Sequence, residues 1–188
     1  MRCFIAIDID EQIRKGLSDL QDELRTKVDI RRGDVKWVNP AINHLTLKFL
    51  GEIDDKQAVE VCNIAAHVAG RHGRFDLDVR SVGHFGGRSA RVLWVGAGQG
   101  CDNLLQLHDD LEVSLEHAGW PREGRKFAAH LTLCRIRNSK AGVKLAQASR
   151  DYAEFELGTL SADSITVYQS ELTPQGPIYT ALGKYDLQ

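Results

Sequence analysis

Neither sign of charge is in excess in this chain. Its 188 residues carry 24 Lys and Arg against 26 Asp and Glu, a formal net charge of −2. No global basic field therefore exists to grip duplex nucleic acid, although an RNA end or a few phosphates stay within reach. Cysteine is scarce: Cys3, Cys62, Cys101 and Cys134 are scattered and form no Cys-x-x-Cys pair. That spacing argues against a disulfide framework or a cysteine-rich zinc site. No apolar run reaches the length of a membrane span, and the opening Met-Arg-Cys-Phe-Ile-Ala-Ile-Asp is too short for a signal-peptide core. A reducing, cytoplasmic setting without membrane contact is the expectation. The glycine-rich Gly83–Arg88 stretch lacks the Lys-Ser/Thr ending of a P-loop and is expected to be a hairpin turn. With no nucleotidyl-transfer lysine motif either, ATP-driven ligation has no support.

Apolar residues make up 43% of the chain, enough for an ordinary core, and the length suits one domain or two intimately packed lobes. Phe4–Ile9 reads as a buried strand, and Ile13, Leu17, Leu20, Leu24 and Val28 follow at helical spacing. Val35–Val38 and His44–Leu50 read as strands. Asp54 or Asp55 caps a helix bearing Ala58, Val61, Cys62, Ala65 and Val68. Phe75–Val82 and Ala90–Val95 are the next strands, and Leu104, Leu107, Leu111 and Leu115 stripe a helix. Phe127–Ile136 is then predicted as a strand and Lys140–Ser149 as a helix, with strands near Ser164–Gln169 and Ile178–Leu182.

One tetrapeptide occurs twice. His-Leu-Thr-Leu stands at His44–Leu47 and, 86 positions on, at His130–Leu133. In a strand, residues i and i+2 share a face, so each copy presents an imidazole beside a hydroxyl while its leucines turn into the core. The same offset of 86 carries Phe4–Ile9 onto Ala90–Val95 and the first helix onto the third. Register, element type and motif agree, which points to a duplicated strand–helix–strand unit. The expectation is an α+β protein: two pseudo-symmetric lobes, sheets facing each other across a central groove, helices outside.

Imidazole titrates near neutrality, so of two facing histidines one can accept a proton while the other donates one. On opposite sides of a phosphorus atom they suit an in-line displacement, with the threonine hydroxyls donating to the non-bridging oxygens. A single His-x-Thr is more often a polar sheet edge, but burial alone does not demand the pair twice.

The chain resembles the two-histidine (2H) phosphoesterase superfamily, and within it the RNA 2′,3′-cyclic phosphodiesterase branch, historically called 2′–5′ RNA ligases. The resemblance runs through Phe4-Ile5-Ala6-Ile7, Asn43–Gly51, Arg91–Gly96, His130–Arg135 and the Ser170–Leu182 segment with Pro174, Gly176 and Tyr179. It implies one domain over residues 1–188 and hydrolysis of a terminal ribose 2′,3′-cyclic phosphate to a 2′-phosphate. It implies no cofactor, no metal and no obligate protein partner, the substrate being an RNA end or a small nucleotide with that phosphate. By the resemblance His44 is the proton donor and His130 the acceptor, while Thr46, Thr132 and Arg135 hold the phosphate. The residues alone leave the two histidine roles interchangeable. Strict alternation points Arg135 away from the groove unless a bulge returns it.

Other side chains invite weaker readings. Trp37, Phe49 and Tyr179 could stack on a base, but packing is the plainer fate, and Phe49 alternates with Leu45 and Leu47 and should be core. Arg31, Arg32 and Lys36 could meet an RNA backbone or simply form a solvated loop. His67, His72, His108 and His117 read as surface or packing histidines. Ligation through a 2′–5′ bond is the reverse of the hydrolytic reaction and uses the same residues. A non-catalytic RNA-end binder would favour Arg or Lys over paired histidines. A metal hydrolase ranks low without carboxylates or thiolates beside His44 and His130.

Overall fold

Arg2–Asp8 (β1) is apolar and buried from Cys3 to Ile7, as a strand covered on both faces must be. Residues 1–188 are all described in the computed structural model. Asp10 caps Glu11–Lys27 (α1), its carboxylate accepting from the Ile13 N–H, and the helix buries Ile13, Leu17, Leu20 and Leu24. Val35–Trp37 (β2) and a 3₁₀ turn at Pro40–Ile42 lead to His44–Glu52 (β3). Asp54 and Gln57 form a reciprocal capping box at the start of Asp55–Ala69 (α2).

Phe75–Phe85 (β4) and Val92–Ala97 (β5) form a hairpin, followed by Cys101–His117 (α3), His130–Ile136 (β6) and Ser139–Ala148 (α4). Glu156–Ala162 (β7), Ser164–Thr173 (β8) and Gly176–Asp186 (β9) complete the chain. The Gly83–Arg88 expectation is partly corrected. Gly83–Phe85 belongs to β4, and the turn proper begins at Gly86, whose φ of 103° suits glycine. The second motif strand starts at His130, not at Phe127; residues 127–129 are irregular.

The strands make two antiparallel sheets, ordered β3-β1-β8-β9 and β2-β6-β5-β4-β7. The α+β architecture with two sheets and flanking helices is as expected. The sheets do not follow the halves of the sequence, however. β2 from the first half pairs with β6, and the C-terminal β8–β9 hairpin pairs with β1. Helices also reach across. α1 lies against β7 and sends Gln21 to the carbonyls of Val38 and Leu133, at 2.8 and 3.0 Å. α3 packs on α2 and β4 and places Glu112 beside Lys48 of β3. One cluster of 38 buried apolar residues runs through both sheets and all these helices.

Candidate active site

β3 and β6 each contain a bulge at the same point of the motif. Ile5 pairs with Lys48 and Ala6 with Thr46, so Leu47 is the extra residue; Leu93 pairs with Cys134 and Trp94 with Thr132, so Leu133 is its counterpart. At a bulge the alternation of faces resets. Leu47 and Lys48 are therefore both buried, as are Leu133 and Cys134, and the residue after each pair returns to the motif face. Arg135 comes back to the cavity this way, through the bulge without which alternation would have turned it away. Phe49 does too, which corrects its assignment to the core: it is 56% exposed.

Both motifs border one cavity of about 910 Å³ between the sheets. His44, Thr46, His130, Thr132 and Arg135 all line it, with Tyr179 among the apolar walls. The imidazoles are held alike. His44 Nδ1 lies 3.1 Å from the Ile42 carbonyl, and His130 Nδ1 lies 2.6 Å from the Ala128 carbonyl. A carbonyl only accepts, so in each neutral ring Nδ1 carries the hydrogen and Nε2 is left for the cavity.

Aromatic walls fix the ring planes. His44 stacks on Phe4 at 4.6 Å and meets the edge of Tyr179 at 5.2 Å. His130 stands edge-on to Phe85 at 5.0 Å, with Trp94 at 6.3 Å. Asn43, buried beside the motif, accepts from the His44 N–H through Oδ1 and donates through Nδ2 to the Thr132 carbonyl, 2.9 Å in each case. It ties one motif strand to the other across the cleft.

Burial pushes both imidazoles below their ordinary value of 6.5. Charge then separates them. The Asp8 carboxylate, in register with His44 on β1, works to raise His44, whereas the Arg135 guanidinium works to lower His130 further. Asp8 is itself oriented by Tyr168, whose hydroxyl donates to Oδ1 at 2.6 Å, and by Thr166, which donates to Oδ2 at 3.1 Å. Such a pair can take a proton on one side of a bound group and release one on the other.

The remaining sequence-based expectations divide. Lys36, Trp37 and Tyr179 line the cavity, whereas Arg31 and Arg32 do not. His72 sits 2.9 Å from Asp110 and His108 stacks on Phe127, both away from the cleft. No three His, Cys, Asp or Glu side chains converge as a metal ion would need. Phe4, Asp8, Asn43, Phe85, Trp94, Thr166 and Tyr168 are contributors the sequence reading missed. Only Asn43, adjoining the motif, carried a usable signal; the others reach the site through strand pairing.

Comparison with known proteins gives the same picture. The family model described as LigT like Phosphoesterase matches twice, over residues 7–94 and 95–179. An RNA 2′,3′-cyclic phosphodiesterase of Methanocaldococcus jannaschii is 30% identical over 186 residues, covering 98% of this chain and 100% of the relative. One from Thermotoga maritima is 33% identical over 184 residues, covering 97% and 93%. Among solved structures, a Thermus thermophilus protein superposes with a TM-score of 0.81 at 26% identity, covering 100% of this chain and 98% of that one. Escherichia coli LigT complexed with 3′-AMP gives 0.79 at 26% identity, covering 99% and 97%. Two family matches, one per motif, and full-length likeness on both counts show that this chain belongs to the LigT-like phosphoesterase family.

Proposed function

We propose that the protein hydrolyses the 2′,3′-cyclic phosphate at an RNA end to a 2′-phosphate, as a single domain of two pseudo-symmetric lobes and without a metal ion. The observation that carries this reading is the pair of imidazoles, each pinned through Nδ1 to a backbone carbonyl and each turning Nε2 to one shared cavity. The names of the full-length relatives support the substrate.

His130, kept neutral by burial and by Arg135, takes a proton from water as its oxygen attacks phosphorus. The bond from phosphorus to the ribose 3′-oxygen breaks, and His44 gives that oxygen its proton. The Asp8 carboxylate favours a protonated His44, so the electrostatics support His44 as donor and His130 as acceptor. Thr46 and Thr132 donate hydroxyl hydrogen bonds to the non-bridging oxygens, and Arg135 supplies the cation that offsets their charge. A cytoplasmic setting, where RNA ends are made, fits this role, and no helix is long and apolar enough to cross a membrane.

The test is turnover of an oligonucleotide ending in a 2′,3′-cyclic phosphate, with EDTA present. Wild type is expected to yield a 2′-phosphate end, and His44→Ala or His130→Ala to lose about 10²–10⁴ in kcat. Near-native turnover by either variant would overturn the two-histidine mechanism. Loss of wild-type activity in EDTA would overturn metal independence.

A further inference from the structure

A second cavity, of about 850 Å³, lies beside the first and has no part in the chemistry above. It is bordered by the β4–β5 turn, the end of β6 and the start of α4, and three arginines face it: Arg91, Arg125 and Arg137. The two cavities share no lining residue but are neighbours across Phe85 and β6. Phe85 lines the second while its ring stands edge-on to His130, and Arg135 of the first is followed in β6 by Ile136 and Arg137 of the second. Val92, which lines the second cavity, is the register partner of Arg135.

Charge is distributed along this path in one sense only. Arg2, Lys36 and Arg135 line the first cavity, Arg91, Arg125 and Arg137 the second, and no Asp or Glu lines either. None of the six is engaged in an ion pair, whereas Arg14, Lys15, Arg25 and Lys27 of α1 all are. In a chain of net charge −2, six cations outside any ion pair, three in each of two neighbouring cavities, form a local anion-binding field. Their exposure and spread suit a flexible polyanion and not one compact anion.

We propose that the second cavity is a track for the RNA strand on the 5′ side of the terminal nucleotide, its phosphates resting on Arg91, Arg125 and Arg137. This rests on the reading of the first cavity as the site for the terminal cyclic phosphate. The strand leaves that site past Phe85 and enters the arginine-lined trough. The protein is thereby built for a polynucleotide end, with a cyclic mononucleotide engaging only the first cavity. Contacts of this kind hold the backbone and read no sequence.

The experiment compares wild type with the triple variant Arg91→Ala, Arg125→Ala, Arg137→Ala, all exposed positions. Two substrates are used, a short single-stranded RNA with a 2′,3′-cyclic phosphate end and a 2′,3′-cyclic mononucleotide. The variant is expected to lose kcat/KM on the RNA, through KM, while keeping it on the mononucleotide. Binding of the same RNA with a 3′-phosphate end is followed by fluorescence anisotropy across salt. Three phosphate contacts on a single strand add about 2 to the slope of log affinity against log salt. A fourfold rise in salt should therefore weaken wild type roughly 20-fold more than the variant. Equal losses on both substrates, or identical salt slopes, would overturn the track. Wild type that opens neither substrate yet binds RNA with the steeper slope would overturn the reaction and leave the track supported.

Discussion

Lys48 falls on the polar face of the motif strand by alternation yet is buried in the structure, and its removal is a sharp test of how the bulge shapes this protein. Because the bulge at Leu47 turns it inward, its side chain is only 4% exposed, and its Nζ lies 2.6 Å from Glu112 Oε1, itself 7% exposed. Nζ also donates to the Pro121 carbonyl at 2.9 Å, and Glu112 Oε2 accepts from the Glu123 N–H at 3.1 Å. The pair thus anchors to β3 and α3 the loop that runs on to Ala128 and His130. Lys48→Met keeps the volume but strands a buried carboxylate, which costs about 3–5 kcal/mol. The double variant Lys48→Met, Glu112→Leu removes both charges and should recover much of that loss, because an apolar pair of similar volume is often neutral. Urea unfolding of the wild type, both single variants and the double variant gives the coupling energy directly. A Lys48→Met cost below about 1 kcal/mol would show that Glu112 does not depend on Lys48, being solvated or held by His108, whose Nε2 lies 4.0 Å away, and would refute the reasoning.

Three further outcomes follow from the site. With both imidazoles held below 6.5 by burial, the free protein has its singly protonated pair at acidic pH, so kcat/KM should peak below about pH 6.5; a peak above neutrality would contradict it. Asp8→Asn removes the carboxylate that raises His44, so the alkaline limb should move to lower pH while the acid limb stays. Asn43→Ala breaks the link to the Thr132 carbonyl and should cost about 1–2 kcal/mol in unfolding, together with a fall in kcat; unchanged kcat would show that the two strands need no such tie. The imidazoles also bear on stability. Each binds its proton more weakly folded than unfolded, so the unfolded chain takes up more protons once pH falls below 6.5. Stability should be full above that pH and decline on acidification, less steeply in His44→Ala, a difference that thermal unfolding across pH would record.

By itself the sequence determined what local pattern can determine. Apolar stripes and one cap placed the first three helices, the twin His-Leu-Thr-Leu placed an imidazole and a hydroxyl on one strand face, and the offset of 86 exposed the duplication. β7 escaped because it is an edge strand with only Leu160 and Ala162 buried and Gly158 within it, leaving almost no alternation to read. Phe49 was misplaced because alternation is a property of an isolated strand, whereas the bulge is set by pairing with β1. Tertiary structure alone decided that β2 crosses to the second sheet, that β8 and β9 return to the first, and that Asp8 comes to His44 while Arg135 comes to His130. Two motifs identical in sequence thereby acquire opposite electrostatic surroundings. The physical reason is that side-chain period is written along the chain, while the charge around an imidazole is supplied by whichever strands pair with it.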